Sequence, residues 1–210
     1  MIVDTDRAKN RRATERTPRC SCSTRMRILV LTLFLSACMS HKTTHPEKTI
    51  FAFTAATPAD AWGIQNDVVM GGRSNSQFSV TEDGHGRFTG HVSLENNGGF
   101  ASIIHTLPEP VSVKGFSSFQ LRVKGDGKDY TWRVKAHEND NFYYQMTFPT
   151  KTIETWETIS IPFAAMEAVH HGERVDVPNF PGDQVLKMQF LIGNGEEQDF
   201  VVELDAIEVL

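Results

Sequence analysis

Apolar residues recur at every second position through most of the chain after residue 50, and this alternation limits the fold more than any other feature. In the run FQLRVKG, Phe119, Leu121 and Val123 alternate with polar residues. The runs YTWRVKA, NFYYQMTF and VLKMQFLI repeat the pattern, and FVVELDAIEVL keeps it until the phase slips near Ala206. A period of two is typical of strands with one buried face. Roughly seven to ten such strands predict two packed antiparallel sheets, an all-β sandwich or jelly roll.

Two short segments interrupt the strand pattern. The sequence GDG at residues 125–127 separates two alternating runs and predicts a tight hairpin turn, because Asp-Gly readily supplies positive φ. Residues 163–169 follow Pro162 and predict about one helical turn. No segment carries an apolar stripe at helical spacing over three turns, so we predict no long helix.

A short apolar run near residue 30 predicts an export signal. Arg25 and Arg27 precede residues 28–35, which are apolar except for one Thr, and the small residues Ser36 and Ala37 follow. A positive start, a short apolar centre and small residues at the end are typical of a secretory signal peptide. The run is shorter than the roughly 18–20 residues that span a bilayer. We predict a leader over residues 1–37, with a signal peptide at 26–37 and a mis-assigned extension at 1–25.

The end of this signal resembles the lipobox of bacterial lipoproteins, Leu35-Ser36-Ala37-Cys38. The resemblance implies cleavage before Cys38 and acylation of that residue, which would anchor the protein in a membrane. Position 39 is Met and not Asp, which implies the outer membrane, facing the periplasm. Residues 38–49 are mostly polar and predict a tether, so the folded domain is expected over residues 50–210.

Charge and cysteine content exclude several classes of protein. The three cysteines all precede residue 39, so the domain has neither a disulfide nor a thiolate metal site. After residue 37 the chain has 13 basic and 23 acidic residues. This negative charge opposes binding to phosphate backbones and to anionic lipid headgroups. We therefore predict no nucleic-acid partner, and contact with a membrane only through the lipid anchor.

No motif indicates an enzyme. The domain has no Gly-x-Ser-x-Gly and no cysteine nucleophile, and residues 125–127 lack the third glycine of a dinucleotide loop. Asp67, Glu203 and Asp205 are carboxylates that could hydrolyse a glycosidic bond if two converged, and Asn66 with Asp67 could hold Ca²⁺. We predict a non-catalytic protein with no cofactor and no metal, while these two alternatives stay open.

Three ordered motifs resemble the complex I intermediate-associated protein 30 family: WGIQNDVVMGGRSNSQF, FTGHVSLENNGGFASI and LRVKGDGKDYTWRV. The resemblance covers nearly all of the chain after residue 50. Family members commonly carry Arg shortly after Gly-Gly-Phe-Ala-Ser, whereas positions 103 and 104 here are both Ile. The motif positions, which are the candidate site residues, are Trp62, Asn66, Asp67, Met70, Gly71, Gly72, Ser74, Asn97, Gly98, Gly99, Phe100 and Asp126.

The resemblance implies a galactose-binding-like β-sandwich and, for the mitochondrial members, a chaperone-like factor in complex I assembly. We predict a non-catalytic, membrane-anchored binding module that acts as a protein-assembly or scaffold factor. The alternative is a carbohydrate-binding envelope lipoprotein, in which Trp62, Tyr143 or Trp156 could stack on a sugar. The partner is therefore a protein or a glycan.

The segment Asn66–Phe78 is open to two interpretations. Asn66 and Asp67 can bond backbone amides two residues on, and Gly71-Gly72 permits positive φ or close backbone approach. In this structural interpretation Val69 and Met70 plug one end of the sandwich, and Asp67→Asn costs little stability. In the other interpretation the segment is a rim that binds a partner or ligand.

Overall fold

Two antiparallel sheets pack face to face in the computed structural model, which describes residues 46–151 and 155–210. The predicted all-β antiparallel sandwich is confirmed, and no helix in these ranges is long and apolar enough to cross a membrane. Short 3-10 turns occupy Asp67–Met70, Glu95–Asn97 and Phe163–Ala165. The strands are β1 (Lys48–Ala52), β2 (Gly63–Ile64), β3 (Asn75–Val80), β4 (Gly86–Val92), β5 (Ala101–Ser112), β6 (Ser118–Lys124), β7 (Asp129–Lys135), β8 (Tyr143–Pro149), β9 (Trp156–Pro162), β10 (Glu167–His170), β11 (Glu173–Arg174), β12 (Gln184–Ile192) and β13 (Gln198–Val209).

The six-stranded sheet is built around β13. Its order is β3-β4-β13-β6-β9. Two strands share one edge of β13: β4 pairs with its first half and β1 with its second half. The register of β13 shifts between Leu204 and Ala206, so the predicted slip near Ala206 is a bulge. The seven-stranded sheet has the order β11-β10-β8-β7-β12-β5-β2.

The alternating apolar residues form the core between the sheets. Phe119 of the six-stranded sheet meets Trp132 of the seven-stranded sheet with ring centroids 5.7 Å apart. Leu121 and Val123 are buried on the same side as Phe119, and Tyr130 on the same side as Trp132. The side chains between them in sequence therefore lie on the outer faces of the two sheets.

The predicted hairpin at residues 125–127 is wrong. Strand β6 belongs to the six-stranded sheet and β7 to the seven-stranded sheet, so this segment crosses from one sheet to the other. Its two glycines meet different demands. A Cβ on Gly125 would lie 2.2 Å from Thr150 Cβ, and Gly127 turns the chain with φ of 86°. An Asp-Gly turn signal fixes a local bend but does not specify which strands it joins.

Two predicted boundaries also shift. Strand β1 starts at Lys48, because Lys48 and Thr49 pair with Val209 and Glu208, so both residues belong to the domain and not to the tether. The predicted helical turn after Pro162 is confirmed only over Phe163–Ala165, and β10 follows it. The leader over residues 1–37, Cys38 and the tether up to residue 45 lie outside the described residues.

Candidate functional site

The carboxylate of Asp67 is the centre of a buried hydrogen-bond cluster that joins two loops. Asp67 is 0% exposed. Its Oδ1 accepts from the backbone N–H of Ser74 at 3.0 Å, and its Oδ2 accepts from Ser74 Oγ at 2.5 Å. Oδ2 also accepts from the backbone N–H groups of Gly99 at 2.6 Å and Phe100 at 3.3 Å. We call Asp67, Ser74, Ser93, Gly99 and Phe100 the Asp67 cluster, since Ser93 N donates to Ser74 Oγ at 2.9 Å.

The expectation that Asn66 and Asp67 bond amides two residues on is wrong. Asn66 makes no side-chain capping bond to the 3-10 turn. The backbone amides that donate to the side chain of Asp67 belong to Ser74, Gly99 and Phe100, seven or more positions along the chain. Asn66 accepts a hydrogen bond from Ser76 Oγ at 2.8 Å. The side chains of Val69 and Met70 lie outside what the structure describes.

Hydrogen bonds hold Asp67 in its charged form. Burial alone raises the pKa of this carboxyl, but the donors from Ser74, Gly99 and Phe100 outweigh burial and bring the pKa below its ordinary value. Four donors point at this buried carboxylate, three at Oδ2 and one at Oδ1. A Ca²⁺ ion bound through both oxygens would have to displace them, so the site does not fit the calcium alternative. Among residues 46–151 and 155–210, no group of three metal-ligating side chains is placed to hold an ion.

The motif glycines make room for this carboxylate. A Cβ on Gly72 would lie 2.4 Å from Asp67 Cγ, and a Cβ on Gly98 would lie 2.6 Å from Asp67 Oδ2. Positive φ occurs instead at Gly71, Gly99 and Asn97, with values of 93°, 138° and 58°. The two roles predicted for Gly71-Gly72 therefore belong to different residues. Gly71 adopts positive φ and turns the chain, and Gly72 permits the close approach of the Asp67 side chain.

Replacing Gly72 with valine should destabilise the domain by about 1–3 kcal/mol, because the new side chain overpacks against Asp67. Thermal melts followed by circular dichroism test this. Gly63→Val is the matched control, since Gly63 is exposed in β2 and its Cβ would meet nothing closer than Ile104 O at 3.9 Å. An equal loss in both variants would contradict the role given to Gly72.

The segments joined by the Asp67 cluster expose three large apolar side chains. Ile64, Val68 and Leu94 are 49%, 59% and 43% exposed, and they are the exposed large apolar residues of the described chain. We call these three residues the apolar rim. Trp62 lies just before the rim but is buried, with its ring 5.4 Å from that of His105, so it cannot stack on a sugar.

A second buried carboxylate, Asp126, joins the two sheets at the crossing segment. It accepts from Tyr130 Oη of the seven-stranded sheet at 3.1 Å and from Val201 N of the six-stranded sheet at 2.9 Å. Lys128 Nζ lies 2.9 Å from it. Burial, with the charge and hydrogen bond of Asp126, raises the pKa of Tyr130. The structure therefore does not bring Asp126 to the Asp67 cluster, and both carboxylates serve the protein's own backbone and side chains.

The other candidate carboxylates also have partners. Glu203 contacts Arg87 and Lys124, and Asp205 contacts Arg122 at 2.7 Å. These pairs lie on the outer face of the six-stranded sheet, where Trp156 packs beside Lys124 and Arg122. Glu203 and Asp205 are therefore engaged in ion pairs of a kind common on solvated surfaces. They do not form a free carboxylate pair that could act on a glycosidic bond.

The outer face of the seven-stranded sheet carries polar residues that the sequence analysis missed. Gln189, Arg133 and Gln145 lie side by side on β12, β7 and β8, and Gln189 is only 4% exposed. Arg133 Nε donates to Gln145 Oε1 at 2.7 Å, and Gln189 Nε2 donates to Ser102 Oγ at 2.9 Å. Polar side chains so buried on an outer face are unusual. In the sequence they look like the ordinary polar phase of alternating strands.

Two antiparallel sheets packed face to face, with motif residues of two loops joined in the Asp67 cluster, define a β-sandwich domain. The chain belongs to the Complex I intermediate-associated protein 30 (CIA30) family, whose model matches residues 51–204. The resemblance of the three motifs to this family is thereby confirmed. The matched range includes every candidate motif residue from Trp62 to Asp126.

Solved structures share this fold at low sequence identity. The family 11 carbohydrate-binding module of cellulosomal cellulase Lic26A-Cel5E of Clostridium thermocellum is 15% identical, with a TM-score of 0.55 over 79% of this chain and 94% of that one. The Clostridium thermocellum family 11 module in complex with a β-1,3-1,4-mixed-linked tetrasaccharide is 16% identical, with a TM-score of 0.53 over 78% and 95%. The agarase AgWH50C is 10% identical, with a TM-score of 0.54 over 78% of this chain and 24% of that enzyme. These likenesses support the fold.

Proposed function

We propose that this protein is a non-catalytic, lipid-anchored module of the cell envelope that holds a protein partner during the assembly of a larger complex. The observation that carries the proposal is the apolar rim. Ile64, Val68 and Leu94 are exposed on the segments that the Asp67 cluster joins, while the other large apolar side chains that the structure describes are buried or half-buried. Apolar side chains grouped on a polar surface are typical of protein-binding sites.

The Asp67 cluster gives the apolar rim a fixed shape. Val68 follows Asp67 directly, and Leu94 lies between Ser93 and the Gly99 loop that donates to Asp67. Loops that are ordered before binding lose less conformational entropy when a partner arrives, so a small apolar patch can bind more tightly. The buried charge of Asp67 thus supports binding without touching the partner.

The anchor completes the proposal. Cys38 would carry the lipid, and the tether after it would keep the acidic domain close to a membrane that its own charge does not attract. The name of the family refers to a protein associated with an intermediate of complex I. For this chain we propose an assembly role of the same general kind in the periplasm, at the outer membrane.

Affinity capture from detergent-solubilised membranes, followed by mass spectrometry, tests the proposal. The triple variant Ile64→Ser, Val68→Ser, Leu94→Ser should recover the partner about tenfold less well than the wild type, a difference of about 1.4 kcal/mol in binding. Ala164→Ser with Ala165→Ser, two exposed positions of another 3-10 turn, is the matched control. Equal recovery by the triple variant would refute the role of the apolar rim.

The anchor has its own readout in the same cells. Labelling with an alkyne fatty acid should mark the wild type and not Cys38→Ser, and the variant should leave the membrane fraction. A wild-type protein that is unlabelled and soluble would refute the anchor while leaving the role of the apolar rim to the capture experiment.

Carbohydrate binding is the second candidate function. It is favoured by the buried polar residues on the outer face of the seven-stranded sheet, and by the structurally similar family 11 module that is solved with a tetrasaccharide. Saccharide binding that survives in the triple rim variant, with no protein recovered by the wild type, would favour this candidate over the first.

A further inference from the structure

Arg133 differs from the other arginines of the described chain. Arg73, Arg87, Arg122 and Arg174 each lie within 3.3 Å of a carboxylate oxygen, on Glu95, Glu203, Asp205 and Glu167 respectively. Arg133 is the fifth, and its contact among the described residues is the neutral amide of Gln145, through Nε. No described residue accepts a hydrogen bond from its two terminal nitrogens. The domain has an excess of acidic residues, yet no carboxylate among the described residues pairs with this half-buried arginine.

Two lysines beside Arg133 increase the positive charge. Lys135 follows it on the same face of β7, and Lys187 stands directly opposite Lys135 on β12. Like charges directly opposite each other on adjacent strands are destabilising. Glu138 lies 3.2 Å from Lys187, but it is exposed and forms an ion pair with only this one of the three cations Arg133, Lys135 and Lys187. Asp129 and Glu167 also lie on this face, and Glu167 pairs with Arg174. The unmatched positive charge is therefore concentrated at Arg133 and Lys135.

The surroundings of these cations are rich in amides and hydroxyls. Gln189 and Gln145 flank Arg133 in one row across the sheet, and Thr131 and Thr147 share a hydrogen bond at 2.8 Å in the next row. Burial lowers the pKa of Arg133, but an arginine stays charged at neutral pH. Ile104 and Leu191 also lie on this face, half-buried and buried, but none of the exposed large apolar residues of the described chain does. Its exposed part is therefore mainly polar.

We propose that the outer face of the seven-stranded sheet binds an acidic saccharide, whose carboxylate or phosphate is held by the terminal nitrogens of Arg133. The planar guanidinium offers two parallel donors that match either anion. Lys135 and Lys187 supply the remaining charge, and Gln145 and the exposed Thr147 face the sugar hydroxyls. This inference rests on the second candidate function, and it adds the site and the chemical class of the ligand.

Isothermal titration calorimetry with the full-length protein in detergent tests the inference. The acidic probes are oligogalacturonate and phosphomannan. The methyl ester of the first and the dephosphorylated form of the second are the matched neutral ligands. We expect the wild type to bind at least one acid about tenfold more tightly than its matched neutral ligand. Raising the salt concentration should weaken this binding, because salt screens charges at exposed sites.

Three variants locate the binding site. Arg133→Gln should weaken binding to the acidic probe about tenfold, and Arg133→Lys should fall between it and the wild type because lysine keeps the charge but loses the fork. Arg122→Gln, on the opposite sheet and paired with Asp205, should bind as the wild type does. Thermal melts of each variant show that the fold is retained.

The outcomes that overturn the inference are distinct from those that overturn the proposed function. No binding to either acid, or equal binding to acid and neutral forms, refutes the acidic-saccharide site. Neutral binding that is unchanged in Arg133→Gln would keep the carbohydrate candidate and reject this site. Loss of protein capture in Arg133→Gln, with no saccharide bound by the wild type, would assign the face to a protein partner and reject the inference.

Discussion

Replacing Asp67 with alanine should lower the melting temperature of the domain by about 10 °C or more. The change leaves the backbone N–H groups of Ser74, Gly99 and Phe100 without their acceptor, while the Ser74 hydroxyl can still donate to Ser93 O at 3.3 Å. An orphaned buried donor costs about 1–3 kcal/mol, so the combined loss is about 4 kcal/mol or more. For a domain of this size, each kcal/mol shifts the melting temperature by roughly 2–4 °C. Asp129→Ala, an exposed aspartate, should melt within about 2 °C of the wild type.

Asp67→Asn gives a second, sharper test of the same cluster. The sequence suggested a nearly neutral change, but asparagine places an NH₂ group where one of the two oxygens now receives a donor, so we expect a loss of about 2 kcal/mol.

Because the folded-state pKa of Asp67 is lowered, its charge contributes stability above the unfolded pKa, near 4. This contribution is lost as pH falls through the folded-state pKa. The gap between wild type and Asp67→Asn should therefore narrow from pH 7 to pH 3, and a constant gap would contradict a charged Asp67. Glu208, whose pKa burial raises, is present in both proteins and cancels.

Replacing Asp126 with alanine should lower the melting temperature by about 6–12 °C, because about 3 kcal/mol is lost when Tyr130 Oη and Val201 N are left without an acceptor. Tyr130→Phe removes one of these donors together with its need for a partner, and should cost about 1 kcal/mol. The double variant should then be about as stable as, or more stable than, Asp126→Ala alone. Fully additive losses would show that the two groups do not interact.

The sandwich could be predicted because burial on one face imposes a period of two on each strand. Phe119, Leu121 and Val123 entered the core as expected, and even the slip near Ala206 is a real bulge. Pairing could not be predicted in the same way. The turn chemistry of residues 125–127 is local, whereas the choice between a hairpin and a crossing depends on partners far along the chain. The start of β1 at Lys48, two residues before the predicted domain boundary, was missed for the same reason, since it is set by pairing with Val209.

The candidate site was predicted in its members but not in its contacts. Asp67, Gly72, Ser74 and Gly99 are all motif residues, yet Asp67 accepts from residues as far as 33 positions along the chain, a relation that spacing alone does not reveal. Arg133 was overlooked because an arginine in the polar phase of a strand is unremarkable. It becomes informative only when the partners of the other arginines are known.

The central position of β13 in its sheet has a consequence for how the protein is made. Its hydrogen-bonded neighbours β1, β4 and β6 all precede it in the chain, so their edges have nothing to pair with until residues 198–209 arrive. During synthesis from the amino end, the six-stranded sheet therefore stays in separate parts, with β3 paired to β4 and β6 to β9. These parts can join into one sheet only when β13, near the carboxyl end, is made.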